Sequence, residues 1–314
     1  MSTITTEKNN INWYPGHMKK TRELIRDNLK MVDLVIELLD ARIPVSSRNP
    51  IINELVGDKQ RIVVLNKSDL ADPTETAKWR RYLSDHGTKT LEMNSMSGSG
   101  TKELLKLLES IESSLLKQRN AAASAGQGSA DAAGSDAANE KPANAAVRKR
   151  KPLRMMIVGI PNVGKSSLIN RLTGKKSART GDKPGVTKGK QWLTLSNGMQ
   201  LLDTPGILWP KLEDPGTGLA LAFCGSIKDE VLNIADLGLE FVKYMETEYP
   251  QLLISRYGID EICETSLETM EAIAIKRGCI LPGKRIDYDR VAKMMIDEFR
   301  SAAIGKITLE KVED

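Results

Sequence analysis

At 314 residues, 28% of them charged and 40% hydrophobic, the chain is long enough for a domain of ordinary size and a smaller partner. No apolar run approaches the roughly 18 residues needed to span a membrane, and Cys224, Cys263 and Cys279, odd in number and without ligand-like spacing, point to a reducing compartment and no metal cluster. The net charge of +5 is modest but uneven: residues 148 to 190 carry thirteen Lys or Arg against one acid, Asp182, more than one phosphate ligand can use and suited either to a nucleic-acid backbone or to a solvated basic surface.

In chain order, helical spacing from about residue 18 to 30 leads into a strand-like run, Val32 to Leu39. A second run, Arg61 to Leu65, ends at Asn66-Lys67-Ser68-Asp69. A carboxylate such as Asp69 accepts from both N1–H and the 2-amino group of guanine, a donor pair that adenine lacks. A third run, Thr88 to Met93, ends at Asn94-Ser95, where the loop that backs a guanine would lie. A helix is expected near 100 to 118, and then a flexible linker over 119 to 150, whose stretch Ala121 to Ala146 is rich in Ala, Gly, Ser, Asp and Asn without an apolar period.

Met155-Met156-Ile157-Val158 reads as a buried strand, followed by Gly159-Ile160-Pro161-Asn162-Val163-Gly164-Lys165-Ser166 and a helical run, Ser167 to Leu172. This fits G-x-x-x-x-G-K-[ST], in which backbone N–H groups cradle the phosphates, Lys165 reaches the β- and γ-phosphates and the Ser166 hydroxyl ligates Mg²⁺. Nucleotide contacts are therefore assigned to Pro161, Asn162, Val163, Gly164, Lys165, Ser166 and Ser167. Thr187 is placed to close over Mg²⁺, and Asp203-Thr204-Pro205-Gly206, after the run Met199 to Leu202, offers Asp203 to the metal and the Gly206 N–H to the γ-phosphate. Residues 217 to 303 then read as amphipathic helices, for example Glu230 to Leu237 and Arg290 to Phe299, with Lys276, Arg277, Lys284, Arg285 and Lys293 as a candidate basic face.

The order is the informative part. In an ordinary GTPase the phosphate motifs precede the base-reading ones; here the base-reading motif comes about a hundred residues earlier, so the chain reads as a circular permutation. With Trp13-Tyr14-Pro15-Gly16-His17-Met18, Asp40-Ala41-Arg42-Ile43-Pro44 and Gly305-Lys306-Ile307-Thr308-Leu309-Glu310, it resembles the circularly permuted GTPases of the YlqF/YawG group over nearly its whole length apart from 119 to 150.

That resemblance implies an α/β fold, a circularly permuted Ras-like P-loop GTPase domain over 1–212 followed by a small all-α, RNA-contacting domain over 213–314. It also implies a cytoplasmic factor, monomeric off the ribosome, that binds the large ribosomal subunit late in assembly, hydrolyses GTP and leaves. Met1 to Asn12 is too short and Arg-free for a mitochondrial leader. Where Ras-like enzymes place a water-orienting Gln, this chain has Ile207, so intrinsic turnover should be slow. The resemblance points to His17 or to a ribosomal group instead, and Asn162 resembles the residue that binds K⁺ in cation-dependent GTPases. Ile207 keeps open a second reading, an RNA-binding scaffold that holds GTP as a structural ligand. A small-molecule or nucleoside kinase using the same phosphate loop is disfavoured by Asn66-Lys67-Ser68-Asp69 and by the absence of an evident acceptor pocket.

Overall fold

A computed structural model describes residues 23, 25–57, 59–125, 151–174, 191–203 and 214–312. Among them, a helix α1 (residues 25–29) leads into β1 (Leu34–Asp40), followed by α2 (Pro50–Val56), β2 (Gln60–Asn66), α3 (Pro73–Asp85), β3 (Lys89–Met93) and α4 (Thr101–Ala125). Then come β4 (Arg154–Val158), α5 (Lys165–Thr173), β5 (Gln191–Thr194) and β6 (Gln200–Asp203). These strands form one sheet in the order β3-β2-β1-β4-β6-β5, parallel except for β5, which is antiparallel to β6.

The uninterrupted apolar runs are what a parallel sheet covered on both faces requires, and every residue of β1 is buried. Leu34, Ile36 and Leu38 face Leu104 and Leu108 of α4 and Leu168 and Leu172 of α5, whereas Val35 and Val158 face Ile25, Leu29 and Ile52. Glu37 is the exception within β1: burial pushes its carboxyl up, against the pull of Arg48 at 3.6 Å and Arg61 at 3.3 Å. The register puts Asp40, Asn66 and Met93 abreast at one edge of the sheet, with Val158 level with Glu37, so the loops after four strands open together.

Beyond residue 213 the chain is mostly helical: α6 (Pro215–Phe223), a 3₁₀ turn (Asp229–Val231), α7 (Ile234–Glu248), α8 (Pro250–Tyr257), α9 (Ser266–Lys276) and α10 (Tyr288–Arg300). Its core contains Phe241 stacked between Phe223 and Phe299 at 5.3 and 5.2 Å. The tail then returns to the sheet: Leu309 N–H donates to the Arg42 carbonyl, Ile307 N–H to the Leu70 carbonyl, and Trp79 Nε1–H to the Glu310 carbonyl. The Glu310 carboxylate accepts from the Val45 and Ser46 amides at 2.6 and 2.9 Å.

Two expectations change. Helix α4 runs to Ala125, seven residues into the expected linker 119–150, because Ala-rich sequence extends a solvated helix without needing an apolar face; residues 126–150 lie outside the described ones. Glu230 to Leu237 is not one helix: the 3₁₀ turn ends at Val231, Leu232 is extended, and Asn233 caps α7 by accepting from Asp236 N–H, the position Asn favours. The C-terminal portion is helical as expected, with one short hairpin, β7 (Ile280–Leu281) and β8 (Arg285–Ile286), turned at Leu281-Pro282-Gly283-Lys284.

Helix α7 passes so close to α10 at Gly238 that a Cβ there would lie 2.4 Å from Ala292 Cβ and 2.8 Å from its Cα. Gly238→Ala, which should gain up to about 1 kcal/mol in helix propensity, is expected instead to destabilise the chain by about 1–3 kcal/mol through overpacking. Urea unfolding followed by far-ultraviolet circular dichroism reads the sign directly.

Candidate functional site

Everything that could read a nucleotide base sits at the edge where β1, β2 and β3 end. Asn66, the last residue of β2, is buried and holds loops together: Nδ2 donates to the Val163 carbonyl at 2.7 Å and to Ser95 Oγ at 3.0 Å, while Oδ1 accepts from Ser95 N–H at 3.0 Å. It thereby joins the base-reading loop, the phosphate loop and the backing loop. Ser68 donates through both N–H and Oγ to the Met93 carbonyl, at 3.2 and 3.1 Å. Asp69 is exposed, and its carboxylate has no hydrogen bond or ion pair among the described residues, which leaves both oxygens available to a base.

Asn94 shapes the backing loop from within, its Oδ1 accepting from Met96 and Ser97 N–H at 2.8 and 3.0 Å. The loop is pinned to α5, since Arg171 donates to the Met96 carbonyl and Ser167 Oγ lies 3.5 Å from Met96 Sδ. Neither Arg171 nor Met96, which is 76% exposed, stands out in the sequence. The helical spacing of α5 puts Arg171 four residues after Ser167 on the same face, and that was the available signal.

Lys67 adopts φ 59° and is held by an ion pair to Asp40 at 2.9 Å. Asp40 is fully buried at the end of β1 and is forked by Arg42, Nε to Oδ1 at 2.9 Å and Nη2 to Oδ2 at 2.8 Å. Burial alone would push the Asp40 carboxyl up; the charges and hydrogen bonds of Arg42 and Lys67 outweigh it and hold Asp40 well below the usual carboxylate range. The Arg42 guanidinium lies 5.2 Å over the Phe299 ring of α10. Beside it, burial pushes the Cys224 thiol up to about 12, so Cys224 packs there as a neutral group.

The phosphate loop leaves β4 with Gly159 at φ 156° and enters α5 through Gly164 at φ 104°. Lys165 is buried and its ammonium donates to the Gly159 and Ile160 carbonyls at 3.1 and 2.6 Å. Ser166 follows in the first turn of α5, half-buried, its hydroxyl without a hydrogen bond among the described residues. Asn162, at φ 58°, donates through Nδ2 to the Gly225 carbonyl at 2.8 Å, a tie to the helical portion that nothing in the sequence signals. Pro161 and Val163 are buried beside it.

Asp203 ends β6, one residue past the Met156–Leu202 pair of β4 and β6, so its backbone is level with the last residues of the strand that feeds the phosphate loop. His17, Thr187, Gly206 and Ile207, with the basic residues Arg148 to Arg150, Lys175, Lys176, Arg179, Lys183, Lys188 and Lys190, lie outside the described residues. Of the candidate basic face, Lys276, Lys284, Arg285 and Lys293 are exposed. Arg277 leaves the set: it donates to the Arg256 carbonyl at 2.7 Å and stacks on Tyr257. No helix among the described residues is long and apolar enough to cross a membrane.

Residues 154–269 match a family model described as 50S ribosome-binding GTPase. A curated relative, ribosome biogenesis GTPase A of Priestia megaterium, is 43% identical over 96% of this chain and 96% of its own length. Mitochondrial ribosome-associated GTPase 1 of Mus musculus is 32% identical over 95% of this chain and 90% of its own. Among solved structures, GDP-bound YlqF of Thermotoga maritima superposes with a TM-score of 0.63 at 26% identity, covering 93% of this chain and 100% of that one.

A Cβ on Gly164 would lie 2.3 Å from Asn66 Nδ2 and 3.0 Å from Ser95 Oγ. Gly164→Ala should therefore break the three-loop junction and weaken fluorescent GDP binding at least about 30-fold, the worth of some two hydrogen bonds, with an unchanged far-ultraviolet spectrum.

Proposed function

The chain belongs to the ribosome biogenesis GTPase A family, and from that membership we propose that it is a cytoplasmic assembly factor of the large ribosomal subunit that hydrolyses GTP there. It binds rRNA and the pre-ribosome in the GTP state and is released after hydrolysis. The observation that carries the nucleotide half of this reading is the junction at Asn66, which brings the exposed Asp69, the backing loop and the phosphate loop of Lys165 to one edge of the sheet.

Asp69 reads N1–H and the 2-amino group of guanine, which selects GTP over ATP. Lys67, fixed by Asp40, lies beside it. The loop from Pro161 to Ser167 wraps the phosphates with its amides, and Lys165 exchanges the Gly159 and Ile160 carbonyls for phosphate oxygens. The donor set suits Mg²⁺: Ser166 offers a hydroxyl without a partner among the described residues, Asp203 ends the neighbouring strand, and all the ligands, Thr187 included, are oxygens. Bound there, Mg²⁺ would neutralise charge on the β- and γ-phosphates. The Gly206 N–H meets the γ-phosphate.

With Ile207 after the Asp-x-x-Gly segment, the attacking water must be positioned from elsewhere, and we assign this to His17 or to a ribosomal group. Helix α1 packs on the face over β1, β4 and β6, in one cluster with Val158, the residue before the phosphate loop. That packing favours His17. We take residues 1–212 as the GTPase domain and 213–314 as the RNA-contacting one, with Lys276, Lys284, Arg285 and Lys293 toward RNA and the protein a monomer off the ribosome.

GTP hydrolysis by the purified chain, alone and with isolated large ribosomal subunits, tests this reading. A slow basal rate raised many-fold by the subunit is expected, and His17→Ala should lose about 10²–10⁴-fold of the stimulated rate if it positions the water. Binding to the subunit without stimulation would sink the hydrolytic reading and favour a scaffold. If Asn162 serves a K⁺ ion that adds positive charge beside the leaving group, hydrolysis is faster in K⁺ than in Na⁺; equal rates remove that assignment.

A further inference from the structure

The helical portion grips the phosphate loop from outside the nucleotide site. Asn162 stands at φ 58°, in the left-handed region that costs a non-glycine residue energy unless something holds it. Its side chain is held by the Gly225 carbonyl, 2.8 Å from Asn162 Nδ2. Gly225 lies just past α6 at φ 72°, and the end of α6 is itself fixed by a side chain of α10: Arg300 Nε donates to the Phe223 carbonyl at 2.9 Å and Nη2 to the Ala222 carbonyl at 2.8 Å. The other edge of the same guanidinium forks onto Asp229, Nη1 to Oδ2 and Nη2 to Oδ1, both at 2.8 Å. A Cβ on Gly225 would lie 3.3 Å from Arg300 Cζ, so the turn passes directly under the guanidinium.

We propose that Arg300 is a positioning residue for nucleotide phosphate binding, acting through the α6 turn and Gly225 on Asn162; the proposal rests on the reading of this loop as the GTP site. A cation on the last carbonyls of a helix stabilises that end of the helix, and here it also sets the direction of the Gly225 carbonyl. With that carbonyl in place, Asn162 keeps the left-handed conformation that curls the loop's amides into a ring. Without it the loop samples other conformers, and apparent affinity falls by the fraction of time the ring is lost. The guanine loop is held on the opposite side by Asp40 and Arg42, so base reading stays untouched.

The test is a double-mutant cycle on the full-length protein, reading fluorescent GDP affinity. Arg300→Gln is expected to weaken binding about fivefold, the equivalent of one ordinary hydrogen bond. In an Asn162→Gly background, where glycine takes the left-handed conformation without help, the same change should cost nothing further. The preference for GDP over IDP, which lacks the 2-amino group, should be unaltered. Arg300→Lys keeps a charge on the α6 carbonyls but loses the fork to Asp229; it should fall between the two and serves in the cycle if the glutamine variant does not fold. Equal losses in both backgrounds, or a changed GDP to IDP preference, would overturn the proposal, as would no loss in the native background. A native chain that binds no GDP overturns the GTP reading and this one together, whereas normal binding with additive losses overturns this one alone.

Discussion

A carboxylate buried at the end of the first strand organises the base side of this molecule. Asp40 is fully enclosed, and a lone buried charge would be untenable. It is tolerated because Arg42 forks it and Lys67 adds a second cation, while the Asp40 N–H donates to Ser47 Oγ. Each partner belongs to a different piece of the fold. Lys67 is the second residue of the guanine-reading loop, Ser47 lies in the loop before α2, and Arg42 reaches the Phe299 ring of α10 and offers its carbonyl to Leu309 of the tail. Removing one member of such a cluster strands the others, at a cost on the order of 3–5 kcal/mol, so the cluster commits the guanine loop, the helical portion and the tail to one arrangement.

Permutation explains why such commitments are needed. The site depends on which strand ends lie side by side, and the order β3-β2-β1-β4-β6-β5 keeps them so whatever strand the chain starts from. What changes is covalent linkage. Here Asp203 and the residues after it lead straight into α6, and the last residues of the chain return to Leu70, Arg42 and Trp79 beside the base loop. The helical portion is thus joined in sequence at one end to the residues after Asp203, which we propose to sense the γ-phosphate, and packed at the other against the loop after Asn66, which we propose to read the base.

The sequence was legible where one residue type at one spacing has one physical use. Four short apolar runs, each ending in a polar motif, predict β1 to β4 and the edge they share, because a buried parallel strand admits no polar alternation. Reading failed where the partner is a main-chain atom. Asn66 is recognisable as part of a base-binding motif, yet its amide is spent on the Val163 carbonyl and on Ser95 rather than left open. The Gly225 carbonyl carries no side-chain signature at all. Asn233 shows a third kind of failure: the apolar spacing from Glu230 to Leu237 runs through it, but a side chain that caps better than it propagates starts α7 afresh. Alanines 121 to 123 extend α4 for the opposite reason, since propensity without periodicity is invisible to a search for an apolar face.

The phosphate loop is therefore not a self-contained cradle. Two adjacent residues at its crown are gripped from opposite sides: Val163 through its carbonyl by Asn66, 97 residues earlier, and Asn162 through its side chain by Gly225, 63 residues later. One grip belongs to the sheet, where the parallel strands hold Asn66 in register; the other belongs to the helical portion, whose buried apolar residues join those of the sheet in one cluster. Movement of the helical portion would release Asn162 while leaving Val163 in place, loosening the part of the loop that curls around the phosphates but not the part that adjoins the guanine pocket. A partner surface that pulls on the helical portion would, by this geometry, weaken phosphate binding while preserving base selectivity. By linkage, a bound phosphate would favour the docked arrangement in equal measure.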